Sequence, residues 1–201
     1  MAARKPPPLL LASASPRRRD LLAAAGVAFE VRPANIREVR APDEAPHRYA
    51  ARMAREKALA VGTAPELEAG RVVLGADTIV VLDGIVFGKP RDASDAALLL
   101  AQLVGRCHLV VTAVAVLRSG SPHVREARVE SRVSMHPAGR EEIEEYVATG
   151  EPLDKAGAYA VQGEGRRFIE RIEGSESNVI GLPLEETLAL LGNAAPGGQA
   201  P

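Results

Sequence analysis

The chain has 201 residues, 46% of them hydrophobic and 25% charged, a length and balance that suit one globular domain or a domain with a small lobe. Its 25 Lys and Arg nearly cancel its 26 Asp and Glu, and the formal net charge of -1 excludes a general nucleic-acid binder or a membrane-surface protein acting through a global field. Aromatics make up only 3% and Trp is absent, so the core has to be built from Leu, Val, Ile and Ala, and no apolar run approaches the roughly 20 residues that span a bilayer.

Residues 1–8 read as a disordered leader. The opening Met1-Ala-Ala-Arg-Lys-Pro-Pro-Pro lacks a signal peptide's apolar segment and cleavage site, so a cytoplasmic location is expected. Leu9-Leu10-Leu11-Ala12 is a short apolar run of the kind found in a strand buried on both faces. A helix follows at once, with Ser15 as its cap, Pro16 in its first position and Gly26 at its end. Phe29 to Ile36 reads as a second strand, and a helix is predicted from about Pro46 to Val61. Val72 to Leu82 is a strongly apolar strand. Asp83-Gly84 then marks a hairpin into the short strand Ile85-Val86-Phe87.

A helix over Ser94 to Val104, capped by Ser94, precedes a β-rich run from Leu109 to Leu117. The single cysteine, Cys107, stands at the edge of that run, where a buried structural thiol is expected. Val129, Ser131, Val133 and Met135 alternate with polar residues, as in a strand with one wet face. A polar helix over Arg140 to Thr149 ends at Gly150. Tyr159 to Gln162 and Phe168 to Ile172 look like short strands, and Pro183 opens a last helix through Leu191. Residues 193–201 read as a disordered tail. Without a repeat or a long linker, residues 9–192 form one α/β domain with a mixed sheet, with room for two lobes around a central cleft.

Several residues carry chemistry in this pattern. The helix opening at Pro16 begins Arg17-Arg18-Arg19, the wrong sign for its dipole. A phosphate docked there would remove that conflict and recruit the guanidiniums, with the Ser13 and Ser15 hydroxyls alongside; solvated arginines after a Ser-Pro cap are the alternative. Asp77 stands in the middle of an apolar strand, where a carboxylate is costly unless paired, hydrogen-bonded or bound to metal. A structural network is one reading of it; a metal ligand or general base is the other. Lys57 falls on the stripe Ala50, Met53, Ala54, Lys57, Val61, which should face the interior, or it snorkels at the stripe's edge. Lys89 follows the hairpin in Phe87-Gly88-Lys89-Pro90, and taken alone would be an ordinary surface lysine. Glu38 or Glu44 could bind metal from the loop before the Lys57 helix. The cluster Asp154-Lys155-Ala-Gly-Ala-Tyr159-Ala-Val-Gln162-Gly163 could line a cleft. The four histidines show no metal-ligand spacing, and neither a Ser-His-Asp signature nor a Walker-type loop is visible.

Together these segments resemble the Maf family of nucleoside triphosphate pyrophosphatases. The resemblance rests on Leu11-Ala-Ser13-Ala-Ser15-Pro16-Arg17-Arg18, Ala54-Arg-Glu-Lys57-Ala58, Gly75-Ala-Asp77-Thr78, Phe87-Gly-Lys89-Pro90, the Asp154-to-Gly163 run, and Gly174-Ser175-Glu-Ser-Asn178-Val-Ile-Gly181-Leu-Pro183, in the family's order over roughly residues 9–192. It implies an elongated mixed sheet flanked by helices, similar to the inosine triphosphate pyrophosphatases. It also implies hydrolysis of a nucleoside triphosphate to the monophosphate and pyrophosphate with Mg2+ or Mn2+, and a cytoplasmic homodimer. Asp77 is then the proton acceptor and, with Glu38, a metal ligand. Ser13, Arg17, Arg18, Lys57, Thr78, Lys89 and Gln162 bind substrate. Arg17, Thr78 and Gln162 resemble the subgroup acting on dTTP and UTP. In place of the family's usual Asp-Glu after the second strand, this chain has Arg37-Glu38. Rival readings are another triphosphate (7-methyl-GTP, or inosine or xanthosine triphosphate) or a nucleotide-binding regulator of cell division.

Overall fold

The structure, a computed structural model, describes residues 8–192. The expected leader, Pro8 apart, and the expected tail lie outside the described residues; the Pro8 carbonyl accepts a hydrogen bond from Arg71. The elements run β1 (Leu9–Leu11), α1 (Pro16–Ala24), β2 (Phe29–Val31), α2 (Pro46–Gly62), β3 (Val72–Leu82), β4 (Ile85–Phe87), α3 (Ala93–Leu103), β5 (Cys107–Arg118), β6 (Val124–Met135), α4 (Arg140–Ala148), β7 (Ile169–Glu173), α5 (Glu176–Ile180) and α6 (Leu184–Gly192). The result is the expected α/β fold, a mixed seven-stranded sheet flanked by helices. Its order is β2-β1-β3-β5-β6-β7, with β4 also paired to β3.

β3 organises the sheet. It pairs in parallel with β1 at Val73 and Leu74, antiparallel with β4 at Val80 to Leu82, and antiparallel with β5 over Val72 to Val81. The edge opposite β5 is therefore covered at both ends and left open in the middle, beside Gly75 to Ile79. Alternation along the strand sends its side chains to two different places. Val73, Ile79 and Val81 pack with Ala50, Ala54, Ala58 and Val61 of α2. On the other face, Leu74 and Ala76 join Leu22 and Leu182, while Val80 and Leu82 join α3, α4 and Phe168.

Gly75 lies on the α2 face. A Cβ built there would overlap the Ala54 carbonyl oxygen and lie 2.6 Å from the Ala58 nitrogen, so the helix backbone rests directly on the strand. This close approach sets how far α2 side chains reach toward β3.

Several elements differ from the sequence reading. β2 is three residues long, because its only neighbour, β1, ends at Leu11: the Arg32 N–H still bonds the Leu11 carbonyl at 3.0 Å, and the residues beyond have no strand to pair with. Ser94 does not cap α3. Asp92 does, its side chain accepting from the Asp95 N–H at 2.8 Å. Ser15 has N-cap backbone geometry but makes no capping hydrogen bond through its side chain. Tyr159 to Gln162 is not a strand, since its backbone does not join the sheet; two short 3-10 turns lead into it and a third follows. The short helix α5 was not expected. Cys107 is exposed, not buried: as the first residue of β5 it points away from the core that takes its neighbour His108. Among the described residues no helix is long and apolar enough to cross a membrane.

Candidate active site

The open edge of β3 is the floor of a cleft of about 670 Å3. All nine residues selected from the sequence line it: Ser13, Arg17, Arg18, Glu38, Lys57, Asp77, Thr78, Lys89 and Gln162. They come from α1 and the loop before it, the loop after β2, α2, β3, the loop after β4, and the irregular segment before β7.

Asp77 is 5% exposed and projects toward α2. Its Oδ1 accepts from Lys57 Nζ at 2.7 Å, and the same ammonium lies 2.9 Å from Glu38 Oε1. Asp77 Oδ2 has no hydrogen-bond partner among the described residues. Burial pushes the Asp77 carboxyl above its ordinary value, against the pull of the Lys57 ammonium and, farther off, the Arg18 guanidinium. The stripe on α2 is interior as expected, with Ala50, Met53, Ala54, Lys57 and Val61 all buried.

The three arginines of α1 part company. Arg19 is exposed. Arg17 is half-buried at the rim, 3.4 Å from Asp154 Oδ2 across the cleft. Arg18 is buried, its guanidinium held by the Gly181 carbonyl (2.9 Å), Ser13 Oγ (2.9 Å), the Ala76 carbonyl (2.9 Å) and Thr78 Oγ1 (3.1 Å). Those bonds leave little of it for a ligand. Arg18 instead occupies part of the open edge of β3, where the Ala76 carbonyl would otherwise be unpaired.

Thr78 is engaged as well. Thr112 gives its only proton to the Asn178 carbonyl at 3.0 Å, and Thr78 Oγ1, with one proton of its own, lies 2.9 Å from Thr112 Oγ1 and 3.3 Å from the Gly181 carbonyl. The chain Arg18, Thr78, Thr112, Asn178 crosses the sheet under the cleft. By contrast, Lys89 and Gln162 are exposed and have no hydrogen-bond or ion-pair partner among the described residues.

For a metal ion the donor set is limited. Among the described residues no group of three or more His, Cys, Asp and Glu side chains could hold one. Glu44 is committed elsewhere: Arg52 holds it through two contacts of 2.7 Å and pulls its carboxyl down to about 2. Asp77 and Glu38 remain, both on the cleft and both on one ammonium. Two carboxylates suit an Mg2+-type ion that takes its other oxygens from water and from substrate phosphates.

The Maf-like protein family matches residues 8–194, nearly the whole chain. The chain belongs to the Maf-like family. It is 54% identical over 192 residues to a protein of Anaeromyxobacter sp. (strain Fw109-5) named dTTP/UTP pyrophosphatase, covering 90% of each chain. It is 50% identical over 177 residues, 87% of each chain, to a protein of the same name from Shigella sonnei (strain Ss046).

This Maf-like cleft also contains residues that the sequence reading did not assign. Tyr49 lines it from α2, two turns before Lys57; helical spacing from that lysine is the signal that could have found it. Tyr159 lines it too, its hydroxyl 2.8 Å from His108 Nε2. Gly181 joins the wall through the carbonyl that holds Arg18. No local pattern marks a carbonyl for such a role.

Proposed function

We propose that the protein hydrolyses dTTP and UTP to the monophosphate and pyrophosphate. The observation that carries this reading is the buried Asp77, with Lys57 and Glu38, at the floor of a cleft whose rim holds Arg17 and Lys89. The name shared by relatives at 50–54% identity over about nine-tenths of both chains supports the substrate.

In this reading Asp77 Oδ2, which has no hydrogen-bond partner among the described residues, takes a proton from the water that attacks the α-phosphorus. Lys57 orients that carboxylate and faces the phosphates. Arg17 and Lys89 hold the β- and γ-phosphates and absorb charge as pyrophosphate leaves. Arg18 acts chiefly by fixing Ser13, Thr78 and the Gly181 carbonyl, and by contributing positive charge. Gln162, whose amide is uncommitted, contacts the pyrimidine edge, while Thr78 shapes the wall beneath it. Mg2+ or Mn2+, held by Asp77 and Glu38, would neutralise phosphate charge and acidify a bound water. The family resemblance also supports a cytoplasmic homodimer, which sedimentation at micromolar protein would test.

Pyrophosphate release from a panel of triphosphates is the direct test. Preference for dTTP and UTP is expected; preference for 7-methyl-GTP, or for inosine or xanthosine triphosphate, would replace the substrate, and binding without turnover would replace the enzyme. Arg17 gives a further expectation. With one weak ion pair to break and a half-buried guanidinium to offer, Arg17→Ala should raise KM for dTTP about tenfold with little change in kcat, as for loss of one charged hydrogen bond. An unchanged KM would remove Arg17 from the phosphate site.

A further inference from the structure

Gln162 and Lys155 reach the cleft from a segment with no regular strand or long helix, so something else has to hold that wall in place. The chain leaves α4 through Gly150, whose φ of +76° turns it, and Glu151 follows with its N–H on Thr149 Oγ1 at 3.1 Å. The Glu151 side chain then reaches forward to the turn after Gln162. Its Oε1 accepts from Tyr146 Oη at 2.9 Å and from the Gly165 N–H at 3.0 Å, and its Oε2 accepts from the Glu164 N–H at 3.0 Å. Its own carbonyl accepts from Lys155 Nζ, which also sits 2.7 Å from Asp154 Oδ1.

The turn is shaped to fit this carboxylate. Gly163 has φ +95° and ψ -157°, a backbone conformation essentially confined to glycine. A Cβ there would overlap Glu151 Oε2 and lie 2.9 Å from its Cδ. A Cβ at Gly165 would lie 2.6 Å from Tyr146 Oη. The anchor is firm at its other end, because Tyr146 is fully buried and meets Phe168 edge to face at 5.2 Å. Burial pushes the Glu151 carboxyl up, but the Gly165 and Glu164 N–H groups and the Tyr146 hydroxyl outweigh it and keep it ionised.

We propose that Glu151 is a positioning residue for nucleotide selection: its carboxylate clasps the turn at residues 163–165 and its carbonyl holds Lys155, and together these fix the wall that presents Gln162 and Lys155 to the bound nucleotide. The assignment rests on the dTTP/UTP reading above. Asp77 and Lys57 belong to β3 and α2, outside this segment, so the clasp acts on binding and base choice and not on the chemical step.

The test is steady-state kinetics of unmodified protein, Glu151→Ala, Glu151→Gln and Gly163→Ala with dTTP, UTP and the purine triphosphates dGTP and ITP. Glu151→Ala should raise KM for dTTP at least tenfold, keep kcat within about threefold, and reduce the preference for dTTP over dGTP by a similar factor. Glu151→Gln should fall between, because its Oε1 still accepts from Tyr146 and Gly165 while its amide faces the Glu164 N–H. Gly163→Ala should act in the same direction. Combined with Glu151→Ala it should raise KM by less than the product of the two single effects, since the overlap with the carboxylate is gone. If Glu151→Ala does not fold, the Gln and Gly163→Ala variants decide. Turnover in the unmodified protein with unchanged KM and base preference in the variants overturns this assignment alone, as does a loss confined to kcat. Absence of dTTP and UTP turnover in the unmodified protein overturns the activity itself, and this assignment with it.

Discussion

Replacement of Asp77 by asparagine should lower kcat for dTTP by about 10^3-fold while leaving nucleotide affinity within a few-fold of the unmodified protein, in the range typical for loss of a general base. The asparagine side chain has the same size and can still accept from Lys57 Nζ at the position of Oδ1, which accepts that bond now at 2.7 Å. What it lacks is a basic oxygen at the position of Oδ2. Affinity should survive because the change removes negative charge from a site that receives a polyanion and leaves Lys57 in place. Single-turnover pyrophosphate release together with equilibrium titration separates the two quantities. Turnover near that of the unmodified protein would show that proton transfer does not pass through Asp77.

Gly75→Ala should destabilise the fold and the site together. The added methyl would overlap the Ala54 carbonyl oxygen and lie 2.6 Å from the Ala58 nitrogen, and both are helix backbone that cannot rotate away. Either α2 lifts from β3 or the strand bows. Overpacking of this kind costs about 3 kcal/mol, which corresponds to a fall in Tm of roughly 6–12 °C for a chain of this size. The site should suffer in parallel, because Ala54 and Ala58 flank Lys57 on the helix and Gly75 lies two residues from Asp77 on the same strand face. Lifting α2 lengthens the 2.7 Å contact between Lys57 and Asp77. Thermal denaturation and kcat/KM should therefore fall together. An unchanged Tm would mean that the helix does not rest on the strand as described.

The sequence was legible wherever local rules dominate. Hydrophobic period marked β3 to the residue, from Val72 to Leu82, because a strand buried on both faces reads as a continuous apolar run. Asp83-Gly84 marked the hairpin because both residues adopt positive φ, at +50° and +78°. α2 was visible from its stripe, and the anomaly of a lysine on that stripe opposite an aspartate in an apolar strand already held the centre of the site. Illegible features depended on partners distant in the chain. β2 stops short because β1 does. Cys107 is exposed because of its place at the start of β5. The cap of α3 is a local exception: Asp92, two residues before Ser94, accepts from the Asp95 N–H.

The amino-acid sequence by itself determined the fold class and most of the order of the elements, through periodicity and turn chemistry, and it marked Asp77 by the cost of placing charge among apolar neighbours. The family resemblance added Thr78, Lys89 and Gln162 to the residues that meet in the cleft. Only the tertiary structure decided what each residue is free to do. Arg17 and Arg18 are adjacent and chemically identical, yet one stands at the rim beside Asp154 and the other is buried on the carbonyls of Ala76 and Gly181. Thr78 and Gln162 both line the cleft, yet the threonine hydroxyl is committed to Arg18, Thr112 and the Gly181 carbonyl and the amide is not. A donor or acceptor has few bonds to give, and which of them remain for a ligand depends on groups tens of residues away that packing brings within 3 Å of one another.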